Sequence, residues 1–161
     1  MSRHWVLNAS PVIALGATGH IALLTDLSEQ AVIPSAVAEE ILRGPADCPA
    51  VQWLNKDGRE LVRPVEAPDP AVLAWDLGRC ETEVISWARR HPDFEAVLDG
   101  RAAEVCAAVF NVPVRGTLGV VLLAKRLGRI RAVAPVLTAL DQAGFRIDPL
   151  LRTQIIQHAG E

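Results

Sequence analysis

The chain has no long apolar run, although half of its residues are apolar. Gly, Pro and Arg interrupt every such stretch before it reaches the ~20 residues a membrane helix requires, which excludes a helical span. The apolar run between His4 and Asn8 is too brief for a signal peptide, and no small-residue cleavage site follows it. These absences predict a cytoplasmic protein. Cysteine is scarce: Cys48, Cys80 and Cys106 are the only three, widely spaced, with no Cys-x-x-Cys pair and no nearby His. That excludes a disulfide framework and a zinc site and predicts reduced thiols. A basic surplus is missing as well, since the formal net charge is -3, so any contact with nucleic acid has to be local. The one dense basic stretch is Lys125, Arg126, Arg129 and Arg131, which suits phosphate contact or, more commonly, a solvated helix end. Glycine forms no phosphate-cradling loop, because Gly16-x-x-Gly19 and Gly116-x-x-Gly119 are too short. Repeats and low-complexity linkers are absent, and a length of 161 residues suits one domain with its own core. Residues 1–161 are therefore read as a single domain.

What is present is an alternation of strand and helix. Trp5 to Asn8 reads as a short buried strand, and Ser10-Pro11 as the cap and first position of a helix running through Leu15. Ala31 to Ile33 is a second strand ended by Pro34, with Ser35 placed to cap a helix from Ala36 to Leu42 that Gly44-Pro45 terminates. Pro45 to Asn55 shows no clear period and reads as a variable insertion before a short strand, Leu61 to Val65. One helix follows from Pro70 to about Leu77, and another from Cys80 to Arg90 with Val84, Ile85 and Ala88 at helical spacing. Ala96 to Leu98 is a strand ending at Asp99. Arg101 to Phe110 is a helix with Val105 and Val109 on one face, and Pro113-Val114 a short strand. Helices over Leu118 to Leu127, Val133 to Ala143 and onward from the cap pair Asp148-Pro149 complete the chain. Parallel strands need crossover connections, usually helical, so this order predicts a parallel sheet covered on both faces. Ligands of such sheets gather beyond the carboxyl ends of the strands. Asn8 and Asp99 both fall on that edge.

The polar residues at strand ends and early helix positions are Asn8, Ser10, Glu40, Glu81 and Asp99. If the fold gathers them, three carboxylates and an amide oxygen share one pocket, which requires raised pKa values or a bound cation. A hard, oxygen-liganded Mg2+ or Mn2+ is the usual compensation. Such an ion acidifies water and neutralises charge on a leaving oxygen, the minimum equipment of a metal-dependent nuclease. Each residue also has a plain structural use. Asp99 can cap the helix after it, Glu81 and Glu40 can be ordinary helix carboxylates, and Asn8 can shape its turn. Glu39 and Glu83 stand next door as alternatives. The four tryptophans, Trp5, Trp53, Trp75 and Trp87, are read as packing residues rather than platforms for bases.

Several stretches, taken in order, resemble one family. They are Asn8-Ala-Ser-Pro-Val-Ile13, Val32-Ile-Pro-Ser-Ala-Val-Ala-Glu-Glu-Ile41, Glu81-Thr-Glu-Val-Ile85, Leu98-Asp-Gly-Arg-Ala102, Gly116-Thr-Leu-Gly-Val120, and the run from Gly144 to Ile147. Together they resemble the PIN-domain family, and within it the prokaryotic branch whose first strand leads into Asn-Ala-Ser-Pro. The resemblance implies a three-layer α/β/α fold around a central parallel sheet of about four to five strands. It also implies an acidic pocket that holds Mg2+ or Mn2+ and cuts RNA. In matched positions Asn8, Glu40, Glu81 and Asp99 stand at the four acidic sites. Glu40, Glu81 and Asp99 would hold the metal, and Asn8 would orient a ligand or the attacking water. Ser10 would support the turn, and Arg101 would steady a phosphate or pair with a carboxylate. The further implications are a type II toxin held inactive by a small antitoxin protein, and a homodimer, for which the apolar helices between Leu118 and Leu140 could supply a surface, though burial within the monomer is the commoner use of such helices. The alternative is a PIN-like module that binds RNA or protein with little catalysis. Two departures bear on the choice: Asn8 stands where the family usually has Asp, and Cys80 where relatives commonly have Gly.

Overall fold

The computed structural model describes residues 2–161. Five strands form the sheet: β1 (His4–Leu7), β2 (Gln30–Pro34), β3 (Val62–Arg63), β4 (Phe94–Val97) and β5 (Val114–Arg115). Their order is β3-β2-β1-β4-β5, and every pairing is parallel. Trp5 lies opposite Ala31 on one side and Glu95 on the other, and Val6 opposite Val32 and Ala96. Trp5, Val6, Leu7, Ile33, Ala96 and Val97 have no exposed surface. A strand buried on both faces reads as a continuous apolar run rather than an alternation, which is why these segments are short and uninterrupted. The chain steps outward from β1 to β2 and β3, then returns to lay β4 and β5 on the other side of β1. The order therefore reverses between β1 and β4, and Asn8 and Asp99 follow the carboxyl ends of those two strands. That reversal is where open parallel sheets leave a crevice.

The helices are α1 (Ala9–Ala17), α2 (Leu23–Asp26), α3 (Ser35–Leu42), α4 (Pro49–Leu54), α5 (Pro70–Leu73), α6 (Arg79–Arg90), α7 (Arg101–Val109), α8 (Thr117–Arg126), α9 (Ala134–Gln142) and α10 (Pro149–His158), with a 3-10 turn at Arg59–Leu61. They flank the sheet, giving the α/β architecture expected from the sequence. Helix α6 packs on β1, β2 and β4, while α1 packs on α3, α4 and α8. No helix among the described residues is long and apolar enough to cross a membrane.

Several local expectations change. The stretch from Pro45 to Asn55 contains α4, whose six residues include buried Ala50, Val51, Trp53 and Leu54. Its exposed side is only Pro49 and Gln52, and six residues, fewer than two turns, are too few to show an amphipathic period in the sequence. Gly16 does not break α1, because it is a close-approach position: a Cβ there would lie 3.2 Å from the backbone nitrogen of Ala50. Helix α5 stops at Leu73, with Asp76 and Gly78 at positive φ after it. On α7 the buried residues are Ala103, Cys106 and Ala107, while Val105 and Val109 face solvent. Small side chains let this helix sit close to its neighbours, so its inner face is not its most apolar one. Asp148 caps α10 as expected, accepting from the N–H groups of Leu150 and Leu151. Ser10 and Ser35 are not caps; they lie inside the first turns of α1 and α3, whose cap positions are Asn8 and Pro34. Of the tryptophans, Trp5 and Trp53 are buried, Trp87 stacks on His91 with ring centres 4.2 Å apart, and Trp75 is exposed against the edge of Phe110.

Candidate functional site

The sheet's carboxyl edge assembles the site from four segment ends. After β1 the backbone of Asn8 stays extended, and its N–H donates to the Val97 carbonyl at 2.9 Å, continuing the β1–β4 ladder for one more residue. Asn8 sits at the cap of α1, yet its side chain does not cap. It is 3 % exposed; its Nδ2 donates to Glu81 Oε1 at 3.4 Å, and its Oδ1 is buried without a partner. An orphaned buried acceptor costs about 1–3 kcal/mol, so an arrangement that keeps one calls for a compensating ligand.

Asp99 follows β4 and is held by the opposite wall. Its Oδ1 accepts the Thr117 N–H at 2.9 Å, and its Oδ2 accepts the Thr117 hydroxyl at 2.6 Å and the Ser10 hydroxyl at 3.4 Å. Thr117 is fully buried and opens α8, so the carboxylate is fixed against a helix N-terminus, where the peptide dipoles favour negative charge. Two glycines make room for this. Gly100, at φ +105, turns the chain from Asp99 into α7, and a Cβ at Gly116 would stand 3.1 Å from Asp99 Oδ1.

Glu81 lies in the first turn of α6. Gly78 precedes it at φ +108, and a Cβ there would come within 3.3 Å of Glu81 Oε2. Glu40 lies on α3 across a cleft of about 510 Å³ whose walls include Asn8, Ser10, Glu39, Glu40, Arg79 and Glu81. The side chain of Glu40 is turned to Arg43 at 3.1 Å, and that of Glu39 to Arg79 at 2.6 Å. Asp99 stands beside the cleft, joined to it through Ser10. Arg101 is exposed at the start of α7 and has no side-chain partner among the described residues.

Asn8 and Glu81 thus touch, Ser10 and Asp99 touch, and Glu40 faces them across the opening. No three Asp, Glu, His or Cys side chains among the described residues come close enough together to hold a metal. The donors nonetheless suit a hard cation in kind, being carboxylate oxygens plus one buried, unpartnered amide oxygen. In number they fall short while Glu40 remains with Arg43. Cys80, half buried on the cleft wall, registers the charge around it. Burial first, then the charges of Glu81, Glu40 and Glu83, push its thiol up to about 11, so it stays protonated at neutral pH and is not a nucleophile.

Glu83 belongs to the framework. Its side chain is 4 % exposed, its Oε1 accepts the Ala36 N–H at 3.1 Å, and Arg79 lies 3.5 Å from its other oxygen. It therefore supplies the α3 cap that Ser35 was expected to give, and in doing so locks α3, which carries Glu39 and Glu40, onto α6, which carries Glu81. Glu83→Ala leaves the Ala36 amide unsatisfied and should cost about 1–3 kcal/mol. Thermal melts should then fall by roughly 2–4 °C per kcal/mol, with Glu83→Gln retaining most of the native value. Equal melting of native and Ala chains would contradict this role.

Sequence reasoning missed Thr117, Arg43 and Arg79. Thr117 had a usable signal, because it follows a strand end on the same edge as Asn8 and Asp99. The arginines had none, since a helix pattern does not show which carboxylate a flexible side chain meets.

The model of a family described as a PIN domain matches residues 4–161. The chain belongs to the PIN-domain family. PIN domains are nuclease-type domains that generally bind RNA and use divalent metals, and the all-parallel sheet with its polar carboxyl edge agrees with that fold. No curated protein and no solved structure matches the chain.

Proposed function

We propose that this PIN domain is a Mg2+- or Mn2+-dependent endoribonuclease, acting in the cytoplasm as the toxin of a type II toxin–antitoxin pair. The observation that carries the nuclease reading is the buried, unpartnered Asn8 Oδ1 beside Glu81, one strand away from an Asp99 fixed by Thr117. A toxin's role, its antitoxin and a homodimer rest on the sequence resemblance alone.

Asp99 and Glu81 would hold the cation, with Asn8 contributing Oδ1 and Glu40 joining once it leaves Arg43. The cation, when bound, supplies positive charge against a phosphodiester and makes water a better nucleophile. The rest falls to the chain. Thr117 spends two hydrogen bonds on Asp99, which fixes the plane of its carboxylate. Ser10, on the cleft wall, donates its hydroxyl to Asp99 at 3.4 Å. Arg43 and Arg79 stand on the cleft wall where a phosphate would enter, and their ion pairs with Glu40 and Glu39 are solvent-exposed and weak, so exchanging Glu for phosphate costs little. Arg101 lies free near Asp99 for the strand leaving the site.

A second reading, a module that binds RNA or protein with little catalysis, is favoured by Asn8 in place of an acid and by the pairing of Glu40 with Arg43. Incubating the native chain with labelled single-stranded RNA separates the two. The nuclease reading expects cleavage that needs Mn2+ or Mg2+ and stops with chelator; intact RNA under all conditions supports the module.

A further inference from the structure

Lys125 and Arg126 are half of the basic stretch that stands out in the sequence, Lys125 half-buried and Arg126 exposed. They line a second hollow of about 380 Å³ between α8 and the end of α10, with Arg115 from β5, His158 from α10, and Leu122 and Leu123 as apolar floor. Four nitrogen-bearing side chains from three elements thus converge in a chain whose net charge is negative. Two of them are partly neutralised: Arg115 pairs with Glu95 at 2.8 Å and Lys125 with Glu161 at 3.5 Å. Glu161 is itself held below the usual carboxylate range, chiefly by the N–H of Val133 that it accepts. Arg126 and His158 have no acidic partner among the described residues and are exposed. Gly119 keeps the upper end open, because a Cβ there would meet Arg115 Cγ at 3.0 Å.

The position matters as much as the charge. Arg115 ends β5 and Thr117, two residues on, holds Asp99. The hollow therefore begins at the same strand end as the acidic site and follows α8 away from it, over about 12 Å from Thr117 to Lys125 at the helical rise.

We propose that this hollow is a nucleotide subsite for single-stranded RNA flanking the acidic cleft, with a phosphate taken by Arg126 and its basic neighbours and a base or ribose laid on the partly exposed Leu122. The inference rests on the ribonuclease reading and extends it to where the strand runs. Guanidinium groups suit phosphate oxygens through paired N–H donors, and an apolar floor suits any base face, so the subsite would discriminate little by sequence.

The test is anisotropy of a labelled 2′-O-methyl oligonucleotide, which resists cleavage, titrated in chelator across a range of salt. The double variant Arg126→Ala, His158→Ala should bind it roughly ten-fold more weakly, and its salt slope should fall by about one phosphate contact. Mn2+ calorimetry on the same variant reports the acidic cleft independently and should match the native chain. Unchanged affinity and slope would overturn the subsite even if Mn2+ binds normally. Loss of oligonucleotide binding in the variant, with no Mn2+ binding in either chain, would keep the subsite and remove the metal reading. Full competition by inorganic phosphate or a nucleoside monophosphate at equal affinity would assign the hollow to a small anion and overturn its role as part of a strand path.

Discussion

Replacing Asp99 by Asn is expected to lower metal-dependent RNA cleavage by at least about 100-fold, a loss as large as that seen even when only an outer partner of a metal ligand is removed. The variant should stay folded. Thr117 can still donate its N–H to the amide oxygen, and its hydroxyl can turn to accept from the new NH2, so both contacts at 2.9 and 2.6 Å survive in some form. What disappears is the charge that the buried start of α8 holds in place beside the cleft. Cleavage assays on native and variant chains, with thermal melts to confirm folding, provide the comparison. A variant cutting at the native rate would take Asp99 out of the site.

Placing an acid at position 8 should have the opposite character. In Asn8→Asp a carboxylate takes the place of an amide that donates to Glu81 at 3.4 Å. Two like charges at that distance repel by a few kcal/mol at an effective dielectric of about 20, so without a cation one of the pair must hold a proton. A carboxyl whose folded pKa is raised destabilises the fold above its unfolded pKa. The variant should therefore melt several degrees below native near pH 7 in chelator, and the gap should close towards about pH 3, below the ordinary Asp and Glu pKa values of about 3.9 and 4.3, where both carboxyls are mostly protonated in either state. Added Mn2+ should reverse the order, because a ligand that binds only the folded chain stabilises it in proportion to its affinity. Melts in chelator and in Mn2+ measure both halves. Identical shifts for native and variant would show that Asn8 lies outside the metal's reach.

The sheet and its carboxyl edge were legible because parallel strands buried on both faces leave short apolar runs, and each run here ends in a polar turn. Asn8 and Asp99 could be placed on one edge from that pattern alone, and the cap at Asp148 from its Pro149. What stayed hidden depends on contacts distant in sequence. Ser35 looked like a cap, but Glu83, 47 residues away from the amide it accepts, does that work. Glu40 matched a metal position, yet its direction is set by Arg43, one helical turn on. Thr117 stood one residue before the helix expected from Leu118, and although it follows a strand end, its hold on Asp99 became visible only once β4 and β5 were seen side by side. The helix α4 was unreadable because six residues, fewer than two turns, are too short to show the period on which such readings depend.

The most direct test of the central claim is calorimetric titration of chelator-treated protein with Mn2+, run beside the Asp99→Asn chain. The account predicts saturable binding in the native protein and its loss in the variant. Equal heats from both chains, or no binding at millimolar Mn2+ in the native one, would contradict it.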